Sequence, residues 1–244
     1  MRCTRRIFLA IAVFCVAIAP AQAQEKQKPV RVLFIGNSFT FVNDLPNMIA
    51  ELAKAVKQLP LEHGQETPGG CSFEKHWKDG KAATKIAAGP WDYVVLQEQS
   101  QRPLTGRAVM FEFATKLDGE IKKHKAKTLL YQTWARQDEP TKQDALSKAY
   151  LDLGKELKAS VAPVGTAWQN ALQKNPKLVL HAADKSHPCK TGTYLAACVF
   201  YGTIYAKSPE DLPGNVGGLA DGEAKTLQAI AWETVRQLTE TKKQ

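Results

Sequence analysis

Cysteine and methionine are scarce in this chain, with five and three among 244 residues. Cys3 and Cys15 fall in an N-terminal stretch that has the marks of a leader, so Cys71, Cys189 and Cys198 remain for the folded protein. That number excludes a disulfide-stapled scaffold and allows one internal bond at most. Cys71 and Cys189 are the pair to consider, because each flanks a segment that draws attention for other reasons. Long apolar runs are missing too. The longest, Ile7 to Ala19, is too short to span a bilayer comfortably. No internal repeat, low-complexity tract or domain linker occurs, which excludes a solenoid and favours one domain. The formal charge is +9. Its lysines, such as Lys122, Lys123, Lys125 and Lys127, are spread over helical patterns rather than interleaved with aromatic rings. Solvated helix faces explain that spread, and nucleic-acid binding is not expected.

What is present begins with the leader. Arg2, Arg5 and Arg6, the apolar run and then Ala21-Gln22-Ala23 describe a signal peptide over residues 1–23. Thr4-Arg5-Arg6-Ile7-Phe8-Leu9 also resembles a twin-arginine export signal. Ordinary secretion is preferred, because nothing downstream suggests a cofactor that must be loaded before export. The expectation is export to a bacterial periplasm or medium, with no stable membrane insertion after cleavage. Residues 24–244 would then form a single domain.

Val30 to Ile35 is β-branched and apolar apart from Arg31, as a central strand buried on both faces requires. Leu45, Met48, Ile49, Leu52, Ala53 and Val56 follow at helical spacing. Further strands are predicted near Leu59 to His63, Trp91 to Gln97, Thr128 to Gln132 and Ser160 to Val164. Helices are predicted at Thr105 to Lys123, Thr141 to Lys158, Ala167 to Lys174, Gly192 to Tyr205 and Gly222 to Leu238. Pro209 to Gly218 is expected to be a surface loop. Strands that alternate with helices argue for an α/β protein with a parallel sheet covered on both faces. In such sheets ligands bind beyond the carboxyl ends of the strands, where Ser38, Gly70 and Gln97 each fall.

Ser38 follows Gly36-Asn37 directly after the first strand. A serine there is often only a helix cap, but Gly36 permits a tight turn that presents the hydroxyl. Asp184-Lys185-Ser186-His187-Pro188 lies far downstream. Asp-x-x-His can be a capped helix start. It can also supply the base that takes a serine proton and the carboxylate that holds that base in orientation. Gly70 and Gln97 are of types that donate to an oxyanion, the glycine through its backbone N–H and the glutamine through its amide. His181, Asp184, His187 and Cys189 offer zinc-ligand types, but their spacing matches no common zinc motif and would take the base from Ser38. Trp77, Trp134 and Trp168 suit core or cleft walls better than sugar platforms.

Taken together these segments resemble the GDSL, or SGNH, hydrolases. Ile35-Gly36-Asn37-Ser38 is similar to their first block, with Asn37 where aspartate is usual. Gly70 in Gly69-Gly70-Cys71-Ser72 matches the glycine block. Val94 to Ser100 stands where the asparagine block would be, and Asp184-x-x-His187-Pro188 resembles the last block. An uncharacterised bacterial branch with similar Gly-Asn-Ser and Leu-Gln segments looks most alike, and the likeness runs from about Val30 to Tyr205. It implies a flavodoxin-like three-layer α/β/α sandwich with about five parallel strands. It also implies a Ser38–His187–Asp184 triad, an oxyanion hole of Ser38, Gly70 and Gln97, no metal and no cofactor. Gln97 departs from the usual asparagine. The implied activity is hydrolysis of small-molecule or carbohydrate esters, with acetyl groups on polysaccharide in view. A non-catalytic carbohydrate-binding protein and a lipid-directed esterase or thioesterase are the alternatives. Oligomeric state is not legible.

Overall fold

A computed structural model describes residues 28–241, so the expected leader lies outside the described residues. β1 (Val30–Ile35) leads through α1 (Ser38–Phe41), a 3₁₀ turn (Val42–Asp44) and α2 (Leu45–Ala55) to β2 (Leu61–Glu66). α3 (Phe73–Asp79) and α4 (Lys81–Ala87) precede β3 (Tyr93–Leu96), and α5 (Arg102–Thr105) and α6 (Arg107–Lys123) precede β4 (Lys127–Tyr131). A 3₁₀ turn (Pro140–Lys142) and α7 (Gln143–Leu157) lead to β5 (Ser160–Ala162). The chain closes with α8 (Val164–Lys174), α9 (Lys190–Tyr205), a 3₁₀ turn (Gly214–Gly217) and α10 (Asp221–Thr241).

The strands form one sheet of five in the order β2-β1-β3-β4-β5, all parallel. Strand residues alternate between two cores because successive side chains leave a strand on opposite faces. Val32, Phe34, Val95, Leu129, Tyr131 and Ala162 pack under α2, α8, α9 and α10. Leu33, Ile35, Val94, Leu96, Leu130 and Val161 pack under α3, α4, α6 and α7. This is the expected flavodoxin-like α/β/α sandwich. The chain leaves β1 toward one face and β3 toward the other, which opens a crevice beyond their carboxyl ends. Gly36 to Ser38 and Gln97 to Gln99 line up at that crevice.

Several elements differ from the sequence expectation. β2 begins after Pro60, later than expected, and runs to Glu66 as an edge strand with Glu62 and Gln65 exposed. α3 and α4 were not anticipated. α3 is held by local chemistry more than by an apolar stripe: Ser72 caps it through its Oγ, and Lys78–Glu74 and Lys75–Asp79 pair one turn apart. The helix expected from Thr105 is broken at Gly106, where the Arg102 side chain crosses. The segment 209–218 is not simply a surface loop. Leu212, Gly214 and Gly217 are buried, and Gly217 packs on the Tyr194 ring. Among the described residues no helix is long and apolar enough to cross a membrane.

β5 ends at Ala162, short of the expected Val164, and α8 starts at Val164 with Gly165 packed closely against its neighbours. A Cβ there would stand 2.0 Å from the Thr133 carbonyl oxygen and 2.5 Å from Gln143 Nε2. Backbone cannot yield as a flexible side chain would, so Gly165→Ala should destabilise by about 3 kcal/mol. Gly119→Ala, at an exposed position of α6 with nothing within 4 Å of the added carbon, should stabilise by about 0.5–1 kcal/mol. Urea unfolding of the two variants checks the contrast.

Candidate active site

The serine turn is built by polar groups that the crevice buries. Gly36 and Asn37 are buried, whereas Ser38 is partly open. The Asn37 N–H donates to Gln97 Oε1 at 2.9 Å, and the Thr40 hydroxyl donates to the same oxygen at 3.0 Å. A Cβ on residue 36 would lie 2.6 Å from that oxygen, so only glycine leaves room for it. On the other side, His76 Nε2–H donates to the Gly36 carbonyl at 2.8 Å. Asn37 caps α1, accepting the Phe39 N–H on Oδ1, and its Nδ2 donates to the Cys71 carbonyl at 2.9 Å. Aspartate, the usual residue here in the resembling family, has no N–H for that second bond.

The histidine loop is a small hairpin. His181 and Pro188 pair antiparallel, the Ala182 N–H donates to His187 O at 2.8 Å, and Lys185 takes a positive φ of 62°. Asp184 closes it from within: Oδ1 accepts the Ser186 and His187 N–H groups at 3.0 and 2.9 Å. Its other oxygen, Oδ2, accepts from His187 Nδ1. With that proton on Nδ1, Nε2 is the acceptor, and the Ser38 hydroxyl meets it at 2.8 Å. The structure thus brings Ser38, His187 and Asp184 into one hydrogen-bonded chain. The helix-start alternative does not describe this loop, because α9 begins at Lys190 with Cys189 before it.

Two residues that the sequence analysis did not single out as site residues support the site, one bridging the two segments and one holding the serine turn. Asn43, at a positive φ of 56°, donates from Nδ2 to Pro188 O at 3.0 Å and to the Thr193 hydroxyl at 2.9 Å. His76, described above, is the other, on an unanticipated helix. Trp134, expected only as a wall, adds a third link. It stacks on Phe39 at 4.6 Å, and its indole N–H donates to Ser186 O at 3.0 Å. The only sequence signals were weak ones: Asn43-Asp44 suits left-handed backbone, and Trp134 follows a strand.

Gly70 lies at the exposed turn Pro68 to Cys71 with a φ of +66°. Gln97 requires a correction. It was expected to offer its amide to an oxyanion, but its side chain is fully buried, with Oε1 taken by the serine turn and Nε2 donating to Glu98 O. Two donors on Oε1 fix which end of the amide is oxygen. Gln97 therefore supports the turn instead of facing a substrate. Gln99, two residues on, is partly exposed; its Oε1 accepts the Gln101 and Arg102 N–H groups at 2.9 and 3.1 Å. Its Nε2 has no partner among the described residues. Nor do the zinc-type residues converge. His181 packs edge-on to Trp168, Cys189 Sγ donates to Val179 O, and Cys71, Cys189 and Cys198 are all free.

Charge follows the geometry. The His187 hydrogen bond, aided by the two backbone N–H groups, holds the Asp184 carboxyl at about 2. Burial pushes the His76 imidazole below its ordinary value. Burial also lifts Glu98 to about 7, against the N–H groups of Gln99 and Phe73 that its Oε1 accepts.

The comparisons agree with the fold. No protein-family model matches the chain, and no curated protein matches it. Solved structures do. A candidate SGNH hydrolase from Slackia heliotrinireducens aligns with a TM-score of 0.62 and 27% identity, over 72% of this chain and 100% of its own. This likeness supports the SGNH/GDSL hydrolase superfamily for the chain. A DUF4886-family protein from Bacteroides uniformis shares the SGNH fold with a TM-score of 0.74, 21% identity, and 85% and 95% coverage of the two chains. An acetyl xylan esterase shares it with a TM-score of 0.62, 16% identity, and 72% and 100% coverage.

Glu98 gives the site a pH signature. Its folded pKa is raised, so between about 4.5 and about 7 the folded chain holds a proton that the unfolded chain has lost. Its contribution is therefore present at low pH and disappears as pH rises through that window. Glu98→Gln keeps an Oε1 for both N–H groups and cannot ionise. The stability of the variant relative to wild type should increase by roughly 3 kcal/mol between pH 5 and pH 8. Urea unfolding at the two pH values measures it, and a constant difference would contradict the assignment.

Proposed function

We propose that this protein is an exported serine esterase that removes short acyl groups, acetyl foremost, from carbohydrate esters. The observation that carries the proposal is the 2.8 Å hydrogen bond from Ser38 to His187 Nε2, with Asp184 on the opposite nitrogen. In this account Ser38 Oγ attacks the ester carbonyl as His187 takes its proton. Asp184 stabilises the imidazolium and keeps the ring in place. The tetrahedral oxyanion receives the backbone N–H groups of Ser38 and Gly70. The Ser38 N–H opens α1, where no carbonyl within the helix can accept it. Gln99 Nε2 is the side-chain amide assigned to the third position, in place of Gln97. His187 then protonates the departing alcohol, and water, activated by the same imidazole, releases the acid from the acyl-enzyme.

The substrate class rests on likeness rather than on the triad, since one fold serves many substrates. An acetyl xylan esterase among the similar structures favours carbohydrate esters. Export rests on the leader pattern at Arg2 to Ala23.

The purified mature protein should hydrolyse a short-chain aryl ester and lose rate as the acyl chain lengthens. Ser38→Ala should lower kcat/KM by about a thousandfold or more. Asp184→Asn is the sharper variant. Its Oδ1 can still accept the Ser186 and His187 N–H groups, so the loop should keep its shape. The new NH₂ would face Nδ1 as a donor and force the wrong tautomer, lowering kcat by about a hundredfold to ten-thousandfold. Unchanged turnover in Ser38→Ala would sink the triad.

Gln99→Ala should lower kcat by about a hundredfold, as loss of one oxyanion donor does. Little change in KM is expected, since the bond strengthens only in the transition state. An unaltered kcat would return the third donor to another group.

A further inference from the structure

A cavity of about 540 Å³ lies on the far side of Trp134 from Ser38, and the triad does not use it. Its floor includes Trp134, Trp168 and Leu180, and its mouth carries Arg136, Gln137 and Gln173. The size suits one small ligand, and a few polar groups around an apolar floor are the usual make-up of a ligand site. Two donors in this wall have no partner among the described residues. The Trp168 indole N–H is buried and meets no acceptor. Arg136 is exposed and has no ion-pair partner among the described residues. A guanidinium offers a planar fork that matches a carboxylate, and neutral amides beside it suit hydroxyls.

The cavity does not end at its own rim. A second one, of about 520 Å³, shares Leu178 and Val179 with it and carries Lys174 and Lys177 at its edge. Neither lysine is ion-paired among the described residues, and Glu223 is the acidic residue in that lining. Unpaired cations along two adjoining hollows fit an extended anion better than a compact one. The wall is also shared with the triad. The segment that bears Arg136 pins the histidine loop, through Gln137 N–H to Lys185 O at 2.9 Å and His181 Nε2–H to Ala135 O at 3.0 Å. One indole separates the hollow from Phe39, the neighbour of Ser38.

We infer that this groove binds an acidic oligosaccharide, one bearing uronate carboxylates, and so holds the chain whose ester is presented to Ser38. The inference rests on the esterase reading for the second half of that statement only. Arg136 takes a carboxylate and the amides take hydroxyls.

The test is calorimetric titration of the Ser38→Ala protein, which holds a substrate without consuming it. The probes are trigalacturonate and the neutral xylotriose. Trigalacturonate should bind, xylotriose at least about tenfold more weakly, and added salt should weaken the acidic ligand alone. Arg136→Gln should reduce trigalacturonate affinity about tenfold. Thr141→Trp, which places an indole at the mouth, should abolish it. Equal binding of the two sugars, no binding of trigalacturonate, or indifference to both mouth variants would overturn the inference. Should trigalacturonate bind through Arg136 while wild type hydrolyses no ester, the groove stands and the esterase reading falls.

Discussion

A single buried carbonyl, Oε1 of Gln97, organises the serine turn. It accepts the Asn37 N–H and the Thr40 hydroxyl, and it occupies the space that any side chain at position 36 would need. A buried amide with an unmet donor or acceptor costs about 1–3 kcal/mol, so these partners are held together by mutual satisfaction. The consequence reaches Ser38 directly, because Asn37 is both the residue that Gln97 grips and the cap of α1. The same Asn37 draws in the Cys71 carbonyl, which sets the Gly70 turn against the crevice.

The opposite wall is assembled with the same economy. Asp184 shapes its own loop with one oxygen and orients His187 with the other. Trp134 and Asn43 then carry that loop to the serine, the first by stacking on Phe39 and the second by binding Pro188 O. An imidazole on a surface loop would otherwise sample many rotamers. Fixing it before a substrate arrives removes an ordering cost from the reaction itself.

The fold was legible because its cause is local and periodic. Each strand places alternate residues in two cores, so β1, β3 and β4 read as near-continuous apolar runs. Ser38 and Asp184-x-x-His187 were legible because the chemistry demands those types at strand-end and loop positions. The helices α3 and α4 were not, since each has only seven residues, and a cap and charge pairs hold the first where the apolar stripe is thin. Gln97 was misassigned for a different reason. A glutamine amide donates at one end and accepts at the other, and sequence cannot say which end meets the site. Asn43 and His76 act through partners far away in the chain, a kind of information that no short window contains.

The central claim is that His187 activates Ser38 as a nucleophile. A fluorophosphonate probe tests it most directly, because it captures an activated serine whatever the natural ester is. Labelling of the intact protein at neutral pH, followed by peptide mapping, should place the phosphonyl group on Ser38, and His187→Ala should suppress it by about a hundredfold or more. Labelling on another serine, or equal labelling of Ser38 in the His187→Ala protein, would contradict the account.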